Sequence, residues 1–326
     1  VRRGLGFGVA AFGMWGLFPL FWPLLKPAGS VEILAHRMLW GLLLTALLLT
    51  AARQWRTLRQ ASARTWGLVV LAAALIAVNW GVYIYAVNAG HVVEGALGYF
   101  VNPLFSVLLG VVVFRERLRV AQWVSVALGL AAVLVIAIAG GHVPWIALAL
   151  AVSFGLYGLV KKVVPLPAQA SLTAEGLVVL VPALTYLLVI EFRGDGTFVD
   201  HGIGHSLLLA AAGVVTVLPL FSFSVAARLL PLSTVGLLQY LTPVMQFLLG
   251  VLYFHEHMSA ARWVGFVLIW CALVLFSFDS VRAARRAKAH TVGSPDSVVD
   301  PDSTTDPDSA PDPDAGISAS GPARTG

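Results

Sequence analysis

The chain has 326 residues, of which 59% are hydrophobic and 11% charged, with a formal net charge of +5 and a mean hydropathy of +0.87. A soluble domain carries roughly 25% charged residues, and so sparse a polar complement cannot coat a water-facing globule, which excludes that class. The positive balance is no nucleic-acid signature, because the basic residues sit in short loops between apolar blocks rather than on one polar face.

Ten apolar blocks follow in order, each about twenty residues long, the length that crosses roughly 30 Å of hydrocarbon at 1.5 Å per residue. The first, 4–22, is too long for a signal-peptide core and lacks a small-x-small cleavage site, so it is expected to stay as a helix. The second, 31–51, carries Glu32, His36 and Arg37; the third, 66–87, carries Asn79, Trp80, Tyr83 and Tyr85. The fourth, 92–114, opens beside His91 with Glu94 and continues through Tyr99, Asn102, Pro103 and Ser106. Blocks 120–139 and 144–160 follow, then 172–190 with Glu175, and 206–225. The ninth, 233–254, carries Gln239, Tyr240, Thr242, Pro243 and Gln246, and the tenth, 261–278, holds the single cysteine, Cys271, expected as a small buried hydrophobe. Residues 281–326 turn basic and then rich in Pro, Asp, Ser and Thr, a composition expected to form a disordered cytoplasmic tail. None of the blocks alternates apolar and polar residues as barrel strands do. The expected fold is an all-α integral membrane protein of about ten transmembrane helices.

Lys and Arg in short loops stay on the cytoplasmic side. With the amino terminus inside, Arg2, Arg3, Arg53, Arg56, Arg59, Arg64, Arg115, Arg117, Arg119, Lys161, Lys162, Arg228 and the basic run from Arg282 all face the cytoplasm, and Lys26, Arg193 and Arg262 fall outside. The expectation is a multi-pass protein of the plasma (inner) membrane with both termini cytoplasmic. A shift of 140 residues superposes Leu97, Pro103, Gly110, Phe114, Glu116 and Trp123 on Leu237, Pro243, Gly250, Phe254, Glu256 and Trp263. A weaker match joins Glu32 to Glu175 at nearly the same offset. The organisation is then two five-helix repeats, 1–140 and 141–280. An odd number of helices inverts the second repeat: the hairpin Arg115 to Arg119 is basic and inside, and its counterpart His255 to Ser259, without Lys or Arg, lies outside. Inverted repeats are the common plan of secondary transporters, with the substrate near the midplane.

A polar group in hydrocarbon faces the bundle interior or an aqueous cavity. The candidate cavity residues are Asn79, Trp80, Tyr83, Tyr99, Asn102, Ser106, Gln239, Thr242 and Gln246, between the third, fourth, eighth and ninth helices. Pro103 and Pro243 would kink their helices and each free a carbonyl one turn earlier. The alternative for each polar residue is a hydrogen bond between packed helices. Arg37 is expected to pair with Glu94, with His91 close by, as an outer gate, a proton-coupling site or a structural ion pair. Glu175 and Arg228 suggest an inner counterpart, against which stands simple snorkelling. Gly4, Gly8, Gly16 and Gly155 read as positions of close helix packing. No Gly-rich nucleotide loop precedes a Lys-Ser or Lys-Thr pair, no acid, base and nucleophile share a depth, and His255 and His257 lack a third metal ligand. Neither an enzyme nor a cofactor or metal site is expected.

The segments Glu32 to Arg37, Asn79-Trp80 with Asn88-Ala89-Gly90, Leu97-Gly98-Tyr99-Phe100-Val101-Asn102-Pro103-Leu104, Arg115 to Leu118, and Leu238-Gln239-Tyr240-Leu241-Thr242-Pro243 resemble the RarD branch of the EamA drug/metabolite transporter superfamily. The resemblance runs in order and at matching spacing over residues 5–278. It implies ten helices in two EamA repeats, cytoplasmic termini, and a permease associated with chloramphenicol sensitivity; it implies no defined substrate and no catalytic residues. The residues themselves favour a small neutral or zwitterionic molecule, or an amphiphilic drug, moved by alternating access with a coupling proton or ion. The expected partners are thus a small-molecule substrate and the lipid bilayer, with no nucleic acid. The competing expectation is a non-transporting membrane sensor or partner subunit.

Overall fold

The computed structural model describes residues 2–115, 117–230 and 232–292, and among these all regular structure is helical. Helix α1 (Arg2–Gly16) bends by 44° at Leu17 into a short α2 (Phe18–Phe21) and a 3-10 turn (Trp22–Leu25). There follow α3 (Ser30–Ala51), a one-turn α4 (Trp55–Arg59), α5 (Ala63–Asn88), α6 (Val92–Phe114), α7 (Val120–Gly140), α8 (Trp145–Val163), α9 (Ala168–Arg193) and α10 (Gly202–Leu229). The ninth apolar block is divided into α11 (Leu232–Gln239), α12 (Leu241–Leu248) and a π-helical turn (Leu249–Tyr253), and α13 (Ala260–Val292) closes the order. Eight of these helices are long and apolar enough to cross a bilayer, and the bent first segment makes a ninth. The main compact unit is Val1–Val281, and Arg282–Gly326 is a second unit. The tail expected to be disordered lies, from 293 onward, outside the described residues.

The interruptions have local causes. Pro19 has no N–H to give the Trp15 carbonyl four residues earlier, and the chain bends between them. Pro243 does the same to Gln239, and the helix breaks at Tyr240, where α11 ends and α12 begins. Its repeat partner behaves differently, since α6 is continuous through Pro103. Arg115 and His255, 140 residues apart, both take left-handed backbone conformations, φ 54° and 52°, at the ends of α6 and of the π turn. Two non-glycine residues in that strained region at the repeat spacing mark the same turn built twice.

The two sequence halves interleave in space. α3 packs on α9 and α10, α1 on α10 and α12, α6 on α8 and α12, and α5 on α8 and α9. Lipid is as apolar as Leu, so such contacts depend on close van der Waals fit and on small residues. A Cβ on Gly213 would lie 2.5 Å from the Trp40 carbonyl carbon, and one on Gly98 would lie 2.8 Å from the Ala147 oxygen, so α10 meets α3 and α6 meets α8 at backbone distance. Gly4 faces Leu229 and Leu230, Gly8 faces Leu238, Gly16 faces Met245 and Gly155 faces Phe105. One core gathers Trp22, Leu25, Ile33, Ile84 and Leu150; another stacks Phe100, Phe247, Phe266 and Trp270 across α6, α12 and α13. Val112, Ile138, Phe192, Ile203 and Val274 remain open on the outside, an apolar surface that hydrocarbon covers without cost and water does not. Cys271 belongs to this outer face: it is free and exposed, not buried, because its position on α13 points away from the packed seam.

Candidate functional site

The expected Arg37 to Glu94 pair does not form. Arg37 is 2% exposed on α3, and its guanidinium carbon lies 3.8 Å from the centroid of the Trp80 ring, 5.2 Å from Trp22 and 5.6 Å from Phe18. The bend at Leu17 brings the last two rings over it. Glu94 instead accepts the N–H of Ile146 in the first turn of α8, 3.1 Å away, where four backbone donors lack helical partners. His91 precedes the first residue of α6 and is exposed.

Arg37 and Trp80 line a partly open cavity of about 50 Å³ whose walls come from α3, α5, α9 and α10. In block order these are helices two, three, seven and eight, so the described cavity is displaced by one helix pair from the one expected. The physical reason is that α6 and the broken ninth segment are occupied with each other and with α1 and α8.

Four of the other candidate residues, Asn79, Tyr99, Thr242 and Gln246, hold helices together by hydrogen bonds. Asn79, fully buried, donates from Nδ2 to the Leu150 oxygen and to Ser153 Oγ, both at 3.0 Å, and accepts at Oδ1 from the Tyr99 hydroxyl at 3.2 Å. The network ties α5 to α6 and α8. Tyr83, on the same helix, is buried with its hydroxyl unpartnered and its ring 5.4 Å from that of Tyr99. Gln246 donates from Nε2 to the Trp15 oxygen at 3.2 Å, the carbonyl that Pro19 leaves without an N–H. Thr242 donates to the Phe12 oxygen at 2.8 Å. Asn102 is buried with Oδ1 unpartnered near Gly155. Ser106 is exposed, and Gln239 is half-buried at the end of α11.

Three carboxylates do work that the sequence did not reveal. Glu256, in the loop before α13, accepts the N–H groups of Val92 and Val93, the latter at 3.1 Å, and so caps α6. Burial pushes its carboxyl above the ordinary range, against the opposing pull of those two N–H groups and of His91 and Arg262. Glu32, 3% exposed, accepts the Thr197 N–H at 2.7 Å and its hydroxyl at 2.9 Å, and Thr197 also meets His205 Nε2 at 2.9 Å. His36 stacks on Phe198 beside this group, ring centroids 4.7 Å apart. Glu175 accepts from Lys161 Nζ at 2.6 Å, Ser171 Oγ at 2.9 Å and Tyr157 OH at 3.1 Å, and Lys161 also contacts Ser171. Its cation is thus Lys161; the Arg228 side chain lies outside the described residues. Glu32 and Glu175, matched in the repeat, are both buried; Glu32 accepts two bonds at Oε1, and Glu175 accepts at both oxygens. Among the described residues no three His, Cys, Asp or Glu side chains converge as a metal site requires.

The model of the EamA-like transporter family matches the chain twice, over residues 2–138 and 143–278. The chain is 55% identical over 300 residues to Protein RarD of Streptomyces exfoliatus, covering 91% of this chain and 95% of that protein. It is 42% identical over 297 residues to the uncharacterized transporter YojE of Bacillus subtilis, covering 89% and 98%. A solved crystal structure superposes with a TM-score of 0.56 at 18% identity, over 84% of this chain and 97% of that one, a likeness of fold.

Proposed function

The chain belongs to the EamA-like transporter family, and from that premise we propose that it is a secondary-active permease that moves a small organic molecule across the plasma membrane by alternating access. The observation that carries the mechanism is the position of the cavity: α3 and α5 come from residues 1–140, α9 and α10 from residues 141–280, so the cavity lies in the seam between halves. Two halves that rock about such a seam expose it to one side and then the other. The repeated family match and the paired left-handed turns at Arg115 and His255 support reading the halves as related units of opposite orientation. The loop charges support cytoplasmic termini. A gradient of the solute itself, or of a coupling proton or ion, drives the cycle, and no chemical conversion of the solute is involved.

The test is flux. Proteoliposomes loaded with a bacterial metabolite extract, read by mass spectrometry of the external medium, are expected to release one or a few solutes faster than protein-free liposomes, at a rate that an imposed gradient changes. A folded protein that releases nothing under any gradient overturns the permease reading in favour of a sensor or partner subunit.

A further inference from the structure

Arg37 is left incomplete by its own fold. Its Nε and Nη1 are buried with no hydrogen-bond partner. The rings of Trp80, Trp22 and Phe18 attract the cation through their faces, yet a ring face does not take up the in-plane N–H donors of a guanidinium. A buried charge held this way is costly unless something completes it. Among the described residues no carboxylate pairs with it: Glu32 accepts from Thr197 and Glu94 from Ile146, and Glu175, which lines the same cavity, is taken up by Lys161, Ser171 and Tyr157.

The cavity beside Arg37 defines what could complete it. Its volume of about 50 Å³ is room for roughly three to five water-sized groups, at roughly 10–15 Å³ per water on this measure, and so for a carboxylate head with a short aliphatic body. Beyond the guanidinium the wall is chiefly apolar, with Leu42, Ile76, Val179 and Leu220. The Thr45 and Thr216 hydroxyls on that wall donate to the carbonyls of Leu42 and Ala212 in their own helices. Glu175 also faces the cavity, but both of its oxygens are occupied, so no free anion is offered to a ligand's ammonium group.

We propose that Arg37 is the anion-recognition residue of the transport site, and that the solute is a small organic monocarboxylate with an apolar body. The inference rests on the permease reading for the ligand being a transported solute. A guanidinium presents a planar fork that matches a carboxylate with two parallel hydrogen bonds. Trp80 lies against its face and holds that plane. One cation suits one negative charge, and the aliphatic wall suits a hydrocarbon body rather than a second polar group. On this proposal the solute is an anion, in place of the small neutral or zwitterionic molecule or amphiphilic drug expected from the sequence.

The experiment uses the full chain in lipid nanodiscs, titrated at millimolar concentrations with sodium isovalerate and sodium benzoate against the isosteric amides isovaleramide and benzamide. Thermal unfolding and tryptophan fluorescence report binding, since Trp80 and Trp22 flank the guanidinium. The anions are expected to bind saturably and raise the melting temperature, with the amides at least tenfold weaker. Arg37→Gln is expected to abolish the difference, and Arg37→Lys to keep a weakened preference, because the charge remains and the fork is lost. If Arg37→Gln does not fold, the acid-to-amide comparison on the native chain decides alone. Equal binding of acid and amide, no binding by either acid, or an unchanged preference in Arg37→Gln overturns the proposal and leaves Arg37 as a clamp among aromatic rings. Flux separates the two readings: carboxylate binding with no flux overturns the permease and keeps the anion site, whereas flux of a non-carboxylate solute undiminished in Arg37→Gln keeps the permease and overturns the anion site.

Discussion

Replacing Asn79 by alanine tests whether the amide in the middle of α5 locks helices or lines a pathway. The side chain makes three hydrogen bonds to two other helices, to the Leu150 oxygen, Ser153 Oγ and the Tyr99 hydroxyl. Interhelical hydrogen bonds within membranes average about 0.6 kcal/mol each, so losing all three costs about 2 kcal/mol. Leu150 O and Ser153 Oγ keep other options: the first belongs to a continuous helix and the second donates to the Ala149 oxygen. Tyr99 OH does not, which makes Tyr99→Phe the control: it removes a single bond and is expected to cost about 0.6 kcal/mol. The assay is reversible unfolding in bicelles, with flux measured on the same preparations. A structural lock predicts the larger stability loss in Asn79→Ala, the smaller in Tyr99→Phe, and transport that survives in the folded fraction of both. Asn79→Ala that loses less than about 0.5 kcal/mol while flux disappears would refute the reasoning and return Asn79 to the substrate path.

Lys161→Met strands the Glu175 carboxylate, whose side chain is 6% exposed, and is expected to destabilise by about 3–5 kcal/mol; adding Glu175→Gln should restore most of the folded yield, read by size-exclusion profile in detergent, and no restoration would place the damage elsewhere. Gly213→Ala forces a methyl against the Trp40 and Gly41 backbone, a clash that no side-chain rotation relieves, so an unfolding measurement should show a loss of about 1–3 kcal/mol. Glu256→Ala removes the acceptor for the Val92 and Val93 N–H groups and should cost about 1–2 kcal/mol, with Glu256→Gln milder because one acceptor remains. The raised Glu256 pKa also has a sign: the folded chain holds that proton more tightly than the unfolded one, so the stability of the native chain relative to Glu256→Gln falls as pH rises from the ordinary carboxylate range through the raised one. A pH series in which that difference grows instead would show the carboxylate to be stabilised, not desolvated.

The ten apolar blocks could be read along the chain because hydrophobic length is a one-dimensional property, set residue by residue against the thickness of a bilayer. The repeat was legible for a similar reason: Pro, Gly, Glu and Trp recur at a shift of 140, and the same shift relates the left-handed turns at Arg115 and His255. The block count showed neither the break at Tyr240 nor the bend at Leu17, because hydropathy is blind to a missing N–H; the proline rule gives the first as a kink at Pro243, and the bend before Pro19 is the one left to the structure. Thr197 and His205 carried no signal at all, since what gives them meaning is Glu32, more than 160 residues away.

What the sequence determined by itself was the class of protein, the positions of the helices and the list of polar residues that had to be satisfied inside hydrocarbon. Only the tertiary structure decided who satisfies whom. Glu94 meets Ile146 rather than Arg37, Gln246 meets the carbonyl left by Pro19, and Arg37 is enclosed by three aromatic rings beside the cavity. The reason is rotational: lipid and protein core are equally apolar, so a membrane helix has no sharp hydrophobic face from which its azimuth can be read. That angle is set by glycine contacts such as Gly213 on Trp40 and by the hydrogen bonds themselves, which exist only once the helices have packed.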